Sequence, residues 1–200
     1  MRKLKLQMQI SVDGFVSTGP NDDQSWVTWA LEDIYDDVLY LLNSIDTILI
    51  GRKLAVDYIP YWEKTLTTLD DPMYAFAERI VNAKKIVFTK TLTELKGHNT
   101  FLEKGNYVDA IKKLKGEPGK DLPTGQAGIV VYGGTSFVSS LIKEKLIDEL
   151  YLYVNPVALG KGQTIFDNLE ETLPLNLKNS KKYTSGINLI VYKLDKKELI

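Results

Sequence analysis

The run Ile129-Val-Val-Tyr132-Gly133-Gly134-Thr135-Ser136-Phe137 constrains this chain more than any other segment. Its first four residues are apolar, rich in β-branched side chains and bounded by Gly128 and Gly133, which predicts a short strand buried on both faces. Directly afterwards Phe137, Val138, Leu141, Ile142 and Leu146 recur at helical spacing. A buried strand that passes through two glycines into an amphipathic helix belongs to α/β architecture. The junction also leaves backbone N–H groups at a helix N-terminus, where the helix dipole favours an anion. Glycine admits close approach of a diphosphate there, and Thr135 and Ser136 add hydroxyl donors. The alternative is a turn in which glycine only supplies unusual backbone angles. The run is not G-x-G-x-x-G, so a standard Rossmann site has little support.

The rest of the chain continues the alternation of strand and helix. Over residues 3–10, Leu4, Leu6, Met8 and Ile10 alternate with Lys5, Gln7 and Gln9, which predicts a strand with one solvated face. Ser11-Val-Asp13-Gly14-Phe15 then supplies turn chemistry. Residues 29–42, opening at Trp29, carry Leu31, Ile34, Val38, Leu41 and Leu42 at helical spacing, and a strand at 47–50 follows and stops at Gly51. Asp71-Pro72 is a helix start, since Asp caps free N–H groups and Pro tolerates the first turn; that helix runs to about Ala83. A strand at 85–89 and a helix at 108–114, closed by Gly116 and Pro118, come next. Residues 121–128 (DLPTGQAG) read as a local insertion. Strands at 150–154, 173–183 and 187–194 complete the chain, the last two joined by the turn Thr184-Ser185-Gly186. The pattern implies one domain over residues 1–200, with a mainly parallel sheet and an antiparallel C-terminal edge.

Two further strand ends carry groups suited to an anion. Thr47-Ile-Leu-Ile-Gly51-Arg52-Lys53 places two cations beside a glycine, and a guanidinium grips phosphate with two donors. Ile86-Val-Phe-Thr89-Lys90 ends in a hydroxyl and a cation. Each alone is equally a solvated turn. Together they fit the rule that ligands of open α/β sheets gather at the carboxyl ends of strands.

Composition removes other classes of function. The formal net charge of −1 provides no general attraction for nucleic acid or an anionic membrane. No apolar run has the length of a membrane span or a signal-peptide core. With no cysteine and a single histidine, His98 in a polar stretch, a metal centre is not expected. The expectation is a cytoplasmic protein that binds a small molecule.

The ordered set Ile10-Ser-Val-Asp13-Gly14-Phe15, Ile48-Leu-Ile-Gly51-Arg52, Val87-Phe-Thr89-Lys90, Val130-Val-Tyr-Gly133-Gly134 and Asp148-Glu-Leu150, followed by Asn155-Pro-Val-Ala-Leu-Gly160, resembles the dihydrofolate-reductase-like superfamily. Within it, the set is similar to the reductase C-terminal domain of bifunctional riboflavin-biosynthesis proteins and their stand-alone relatives. The resemblance implies a three-layer α/β fold, with a central, mainly parallel sheet of about eight strands and helices on both faces. It also implies NADPH as cofactor, with Gly133–Gly134 on the diphosphate, often through a cis peptide. Gly51, Arg52 and Lys53 would face the adenosine phosphates, Thr89 and Lys90 the 2′-phosphate, and Val16 and Ser17 the nicotinamide. Cations at the second and third strand ends suit a 2′-phosphate, where NAD sites place a carboxylate. Relatives pair as dimers, so the resemblance also implies a homodimer.

A hydride acceptor usually needs a proton as well. The acids of Glu32-Asp33-Ile34-Tyr35-Asp36-Asp37 compete for that role, and Asp33 is the candidate, although a solvated acidic face is the alternative. Trp26, Trp29, Tyr58, Trp62 and Phe76 are candidates to stack on a planar ring, or else core; Trp62 and Phe166 are the expected substrate contacts. Three functions follow: reduction of a pteridine-, dihydrofolate- or ribosylaminopyrimidine-like heterocycle, nucleotide binding without turnover as in a redox sensor, or a plain α/β scaffold with no nucleotide.

Overall fold

The computed structural model describes residues 1–19, 24–28, 30–123 and 125–195. The opening alternation forms β1 (Leu4–Ser11), and the turn at Asp13 and Gly14 leads into β2 (Phe15–Ser17). Helix α1 (Leu31–Asn43) precedes β3 (Ile45–Gly51), and α2 (Arg52–Thr65) and α3 (Tyr74–Asn82) lead to β4 (Lys84–Phe88). Then come β5 (Thr100–Glu103), α4 (Tyr107–Gly116) and a small hairpin of β6 (Asp121–Leu122) and β7 (Gly125–Gln126). After β8 (Gly128–Val131) and α5 (Thr135–Lys143), the chain continues through β9 (Glu149–Asn155), β10 (Gln163–Thr164), β11 (Leu175–Lys182) and β12 (Asn188–Leu194). Eight principal strands, mostly parallel with an antiparallel C-terminal edge, and five helices give the α/β class that the sequence implies.

The described residues fall into two compact units, where the sequence reads as one domain. Met1–Lys3 and Tyr35–Gly134 make the first, and Leu4–Ile34 with Thr135–Ile200 the second. In the first unit the strands run β8-β3-β4-β5, all parallel. The side chains of Ile48, Leu49, Ile50, Val87, Ile129, Val130 and Val131 are wholly buried, as strands covered on both faces require. Ala55 and Ile59 of α2 and Phe76, Ala77 and Ile80 of α3 add to this core. Asp71 does not cap this helix, which begins at Tyr74 with Met73 as an N-cap that no side chain caps; the Asp71 Oδ1 instead accepts the Met73 N–H at 2.7 Å in the turn before it. The other end of α3 is capped from the strand that follows. Lys85 is 1% exposed, and its Nζ donates to the carbonyls of Ile80 (3.1 Å), Val81 (2.6 Å) and Ala83 (2.9 Å).

At the N-terminal end of these strands Arg2 is the organising residue. Its Nε donates to Ala127 O at 2.9 Å, and its Nη2 to Thr47 Oγ1 at 3.0 Å, to Gly128 O at 3.1 Å and to the Asp46 carboxylate. Asp46 also accepts the Lys120 N–H at 2.7 Å, which ties down the segment entering the β6–β7 hairpin. The expected insertion is thus an ordered two-stranded element, with Thr124 outside the described residues.

In the second unit the strands run β11-β12-β9-β1, with β1 and β9 parallel and the other pairs antiparallel. The polar face of β1 is not solvated as the sequence predicts. Gln9 and Ser11 are buried, and Lys5 and Gln7 are half-buried. The reason is Asn155, opposite Ser11 at the end of β9 and fully buried. Its Nδ2 donates to Gln9 Oε1 at 2.8 Å and Tyr153 O at 3.1 Å, while its Oδ1 accepts the Thr28 hydroxyl at 2.9 Å. Buried amides survive only when paired in this way. Nearby, Asp13 accepts the Ser11 hydroxyl at 2.6 Å, the Gly160 N–H at 2.7 Å and the Leu159 N–H at 3.0 Å. Gly162 is required by close approach, because a Cβ there would come within 2.0 Å of Ser17 O.

Two stability experiments follow. Arg2→Met leaves the mostly buried Asp46 carboxylate without its cation and lowers unfolding stability by about 3–5 kcal/mol in a urea titration, more than Asp46 and Arg2 lose together in an Arg2→Met/Asp46→Leu chain. The hydrogen bond from Ser11, then that from Gly160, hold the Asp13 carboxyl at a pKa of about 2 against an ordinary 3.8. A depressed carboxylate stabilises the fold above its unfolded pKa, and that contribution fades as pH falls toward its folded pKa. Asp13→Asn is therefore less stable than the parent at neutral pH, and the gap narrows between pH 3.8 and about 2.

Candidate functional site

Three adjacent strand ends of the first unit carry the candidate residues. In the parallel register Leu49 of β3 faces Val131 of β8, and Gly51 faces Phe88 of β4. Tyr132–Gly134, Gly51–Lys53 and Thr89–Lys90 therefore leave neighbouring strands at the same, carboxyl, end. The Gly51 N–H donates to Gly133 O at 2.7 Å and joins the first two ends directly. Gly133 has φ +125°, a conformation that side chains oppose, and the Gly133–Gly134 peptide is cis, as the resemblance implies. A Cβ on Gly133 would touch Leu54 Cδ2 at 3.4 Å, whereas a Cβ on Gly134 would meet nothing within 4 Å.

Helix α2 begins at this edge with Gly51 as its N-cap, and no side chain caps it. Its first turn holds no acid, so its free N–H groups keep their attraction for an anion. Arg52 and Lys53 are exposed and have no side-chain hydrogen bond or ion pair among the described residues. The third end is more closed. Thr89 is nearly buried, and its Oγ1 accepts the N–H groups of Thr91 (3.1 Å) and Leu92 (3.0 Å). Lys90 is exposed, with Nζ donating to the carbonyls of Lys104 (2.7 Å) and Gly105 (2.9 Å). Two of its three protons are engaged, and the cation is fixed at the end of β5.

The first unit thus brings together Gly51, Arg52, Lys53, Thr89, Lys90, Gly133 and Gly134, with Trp62 further along α2. The other candidates belong to the second unit. Thr135 and Ser136 open α5, half-buried and exposed respectively. Val16 and Ser17 are buried in β2, and the Ser17 hydroxyl has no partner among the described residues. Phe166 is half-buried after β10. Asp33 lies in the first turn of α1, where its carboxylate accepts the Thr184 hydroxyl and the Ser185 N–H, each at 2.6 Å. Those bonds, the Thr184 one foremost, hold its pKa below the ordinary carboxylate value. Such a group clasps the turn between β11 and β12 as an anion and is a weak proton donor at neutral pH.

The aromatic candidates separate as well. Phe76 is core, packed against Tyr35 with ring centroids 4.6 Å apart. Trp26 is half-buried in the second unit, and Trp29 lies outside the described residues. Tyr58 meets Trp62 edge-on at 5.9 Å and Tyr132 at 5.8 Å. Tyr132 was concealed in sequence by its place at the end of an apolar run. Its position directly before the glycine pair was the only signal. Among the described residues no three His, Asp or Glu side chains are placed to hold a metal ion, and no helix is long and apolar enough to cross a membrane.

Comparison with known proteins agrees with this fold. The uncharacterized protein YyaP of Bacillus subtilis is 33% identical over 194 residues, covering 96% of this chain and 94% of its own. A diaminohydroxyphosphoribosylaminopyrimidine deaminase/5-amino-6-(5-phosphoribosylamino)uracil reductase from Thermotoga maritima shares the fold at a TM-score of 0.66 and 16% identity, over 97% of this chain and 57% of that one. A pyrimidine reductase-like protein from Corynebacterium diphtheriae does so at 0.57 and 13% identity, over 98% and 93%. The RibD C-terminal domain matches residues 2–189, and the chain belongs to that family.

Proposed function

We propose that this chain is an NADPH-dependent reductase that delivers a hydride to a small heterocyclic ring of pteridine, dihydrofolate or ribosylaminopyrimidine type. One observation carries the reading: the convergence of three parallel strand ends on an open glycine, an uncapped helix N-terminus and exposed cations, all within one unit. Membership of the RibD C-terminal family supports a reductase, as do the names of the Thermotoga and Corynebacterium proteins.

The residues fit a phosphorylated dinucleotide. The space over Gly134, which any side chain would fill, suits close approach of a diphosphate. Arg52 and Lys53, with the N–H groups of α2, would neutralise the adenosine phosphates. Lys90, positioned by two carbonyls, would meet the 2′-phosphate and favour NADPH over NADH. When bound, NADPH supplies the hydride from its nicotinamide. Asp33 is fixed as an anion by Thr184 and Ser185, so we assign the accompanying proton to water rather than to that carboxyl. Asp33→Asn is expected to destabilise the β11–β12 turn and to leave the rate per folded molecule nearly unchanged.

The decisive experiment is NADPH binding followed by fluorescence, paired with NADPH oxidation on a panel of pterins and aminopyrimidines. Gly134→Val keeps the fold, because its side chain enters open space, and weakens NADPH at least tenfold. Normal binding by that variant overturns the site. Lys90→Gln narrows the preference for NADPH over NADH by about three- to tenfold, the worth of one exposed charge-assisted contact. Tight NADPH binding with no oxidation across the panel would mark the chain as a nucleotide-binding module instead.

A further inference from the structure

The amino ends of the first unit's strands surround a cavity of about 300 Å³, at the opposite edge of that sheet from the glycine pair. The parallel register sets one wall. Thr47 of β3 is level with Lys84 of β4, and Lys85 with Thr100 of β5, so Thr47, Lys84 and Asn99 stand in a row. The charges around this cavity do not cancel. Asp46 is spent: it accepts from Arg2, from the Thr47 hydroxyl at 2.7 Å and from the Lys120 N–H at 2.7 Å. Arg2 answers with Nε and Nη2 alone, and its Nη1 donates to nothing among the described residues, although Arg2 is only 6% exposed. The ammonium groups of Lys84 and Lys120 have no carboxylate partner among the described residues, and that of Lys84 lies 5.5 Å from the Phe101 ring centroid. The remaining acid of the lining is Glu117, which is exposed. Asn82 and Asn99 spend amide N–H groups on the carbonyls of Glu78 (2.8 Å) and Asn82 (3.0 Å), which leaves each side-chain oxygen as an acceptor.

We propose that this cavity is a second ligand site, which takes a small hydroxylated molecule with one anionic head group, a phosphate or a carboxylate. A guanidinium withdrawn from water needs its hydrogen bonds completed, and an anionic oxygen is the strongest acceptor for it. Lys84 and Lys120 add two cations whose charge nothing in the lining neutralises except Glu117. The two amide oxygens call for donors on the same ligand, which hydroxyl groups supply. Leu114 and Pro118 give its carbon body an apolar contact. The volume stands at the lower limit of small-molecule sites, roughly 300 Å³, so a compact metabolite fits and a dinucleotide does not. A ligand held here would join β3, β4 and the segment entering the β6–β7 hairpin, and would raise the melting temperature by mass action. The site uses none of the residues at the carboxyl ends of the strands and stands or falls independently of the reductase reading.

The test titrates glycerol 3-phosphate, glycerate and glycerol into the full-length ¹⁵N-labelled chain and follows the backbone amide NMR shifts. At least one of the two anions is expected to shift the amides of Lys84, Asn99, Glu117 and Lys120 and to saturate below about 10 mM, and the one with the lower Kd identifies the head group. Glycerol, which has the body without the charge, leaves those amides in place. Lys84→Gln and Lys120→Gln each raise the Kd at least threefold, whereas Arg52→Gln, at the other end of the strands, leaves it unchanged. Glu117→Gln removes the opposing charge and lowers the Kd about two- to threefold, a gain that a misfolded chain cannot produce. Shifts confined to Gly51–Lys53 and Gly133–Gly134 overturn the site, because the anion then sits at the carboxyl ends. No saturation by either anion, an equal response to glycerol, or a Kd indifferent to Lys84→Gln, Lys120→Gln and Glu117→Gln overturns it as well.

Discussion

The 2.7 Å hydrogen bond from the Gly51 N–H to the Gly133 carbonyl connects two elements that would otherwise end independently. It extends the parallel register of β3 and β8 past the last ladder pair and holds Gly133 at its positive φ. It also uses the N-cap residue of α2, so the helix leaves the sheet at a position set by the glycine pair. Leu54, in the first turn of that helix, lies where a side chain on Gly133 would touch it. Anion-compatible groups from two strands are thereby placed relative to one another by backbone alone. No side-chain rotamer has to be ordered for that part of the site to exist, which keeps the entropy of forming it low.

The two ends of the first unit show a division of chemistry. At the amino ends of its strands two buried cations are consumed internally: Arg2 on Asp46 and three other acceptors, and Lys85 on the last carbonyls of α3. Burial lowers the Lys85 pKa to about 8. At the carboxyl ends Arg52 and Lys53 stay exposed and unengaged among the described residues. Ligand binding at one end and stability at the other is the usual assignment for parallel sheets.

Much of this was legible in sequence because it depends on local pattern. The β8 run and the hairpin turn at Thr184–Gly186 each carry their own signal and lie within a residue or two of where they were expected. β5 was not legible. Thr-Phe-Leu-Glu is a polar edge strand with Phe101 half exposed, and only pairing with β4 makes it a strand. The solvated face assigned to β1 failed for a related reason, since Asn155, 146 residues from Gln9, supplies the partner that lets Gln9 be buried. Asp33 is the clearest case at the candidate site. Helical spacing placed it correctly in the first turn of α1, but its partners at Thr184 and Ser185 are 151 and 152 residues away, and they decide what its carboxylate does.

The glycine pair separates structural from functional constraint within two residues. Gly133 has a reason in the fold: its φ of +125° is one that L residues avoid, and a side chain there would press on Leu54. Gly134 has neither reason. Its φ lies outside the left-handed region, and a Cβ built on it meets no atom within 4 Å. A glycine in a helix-proximal position with room for a side chain carries an entropic cost and no packing gain. That cost is offset if the space belongs to something outside the chain, and an uncapped helix and two exposed cations are groups that suit the anion of the proposed reading. Gly134 is therefore a glycine whose identity neither its backbone angle nor its packing explains.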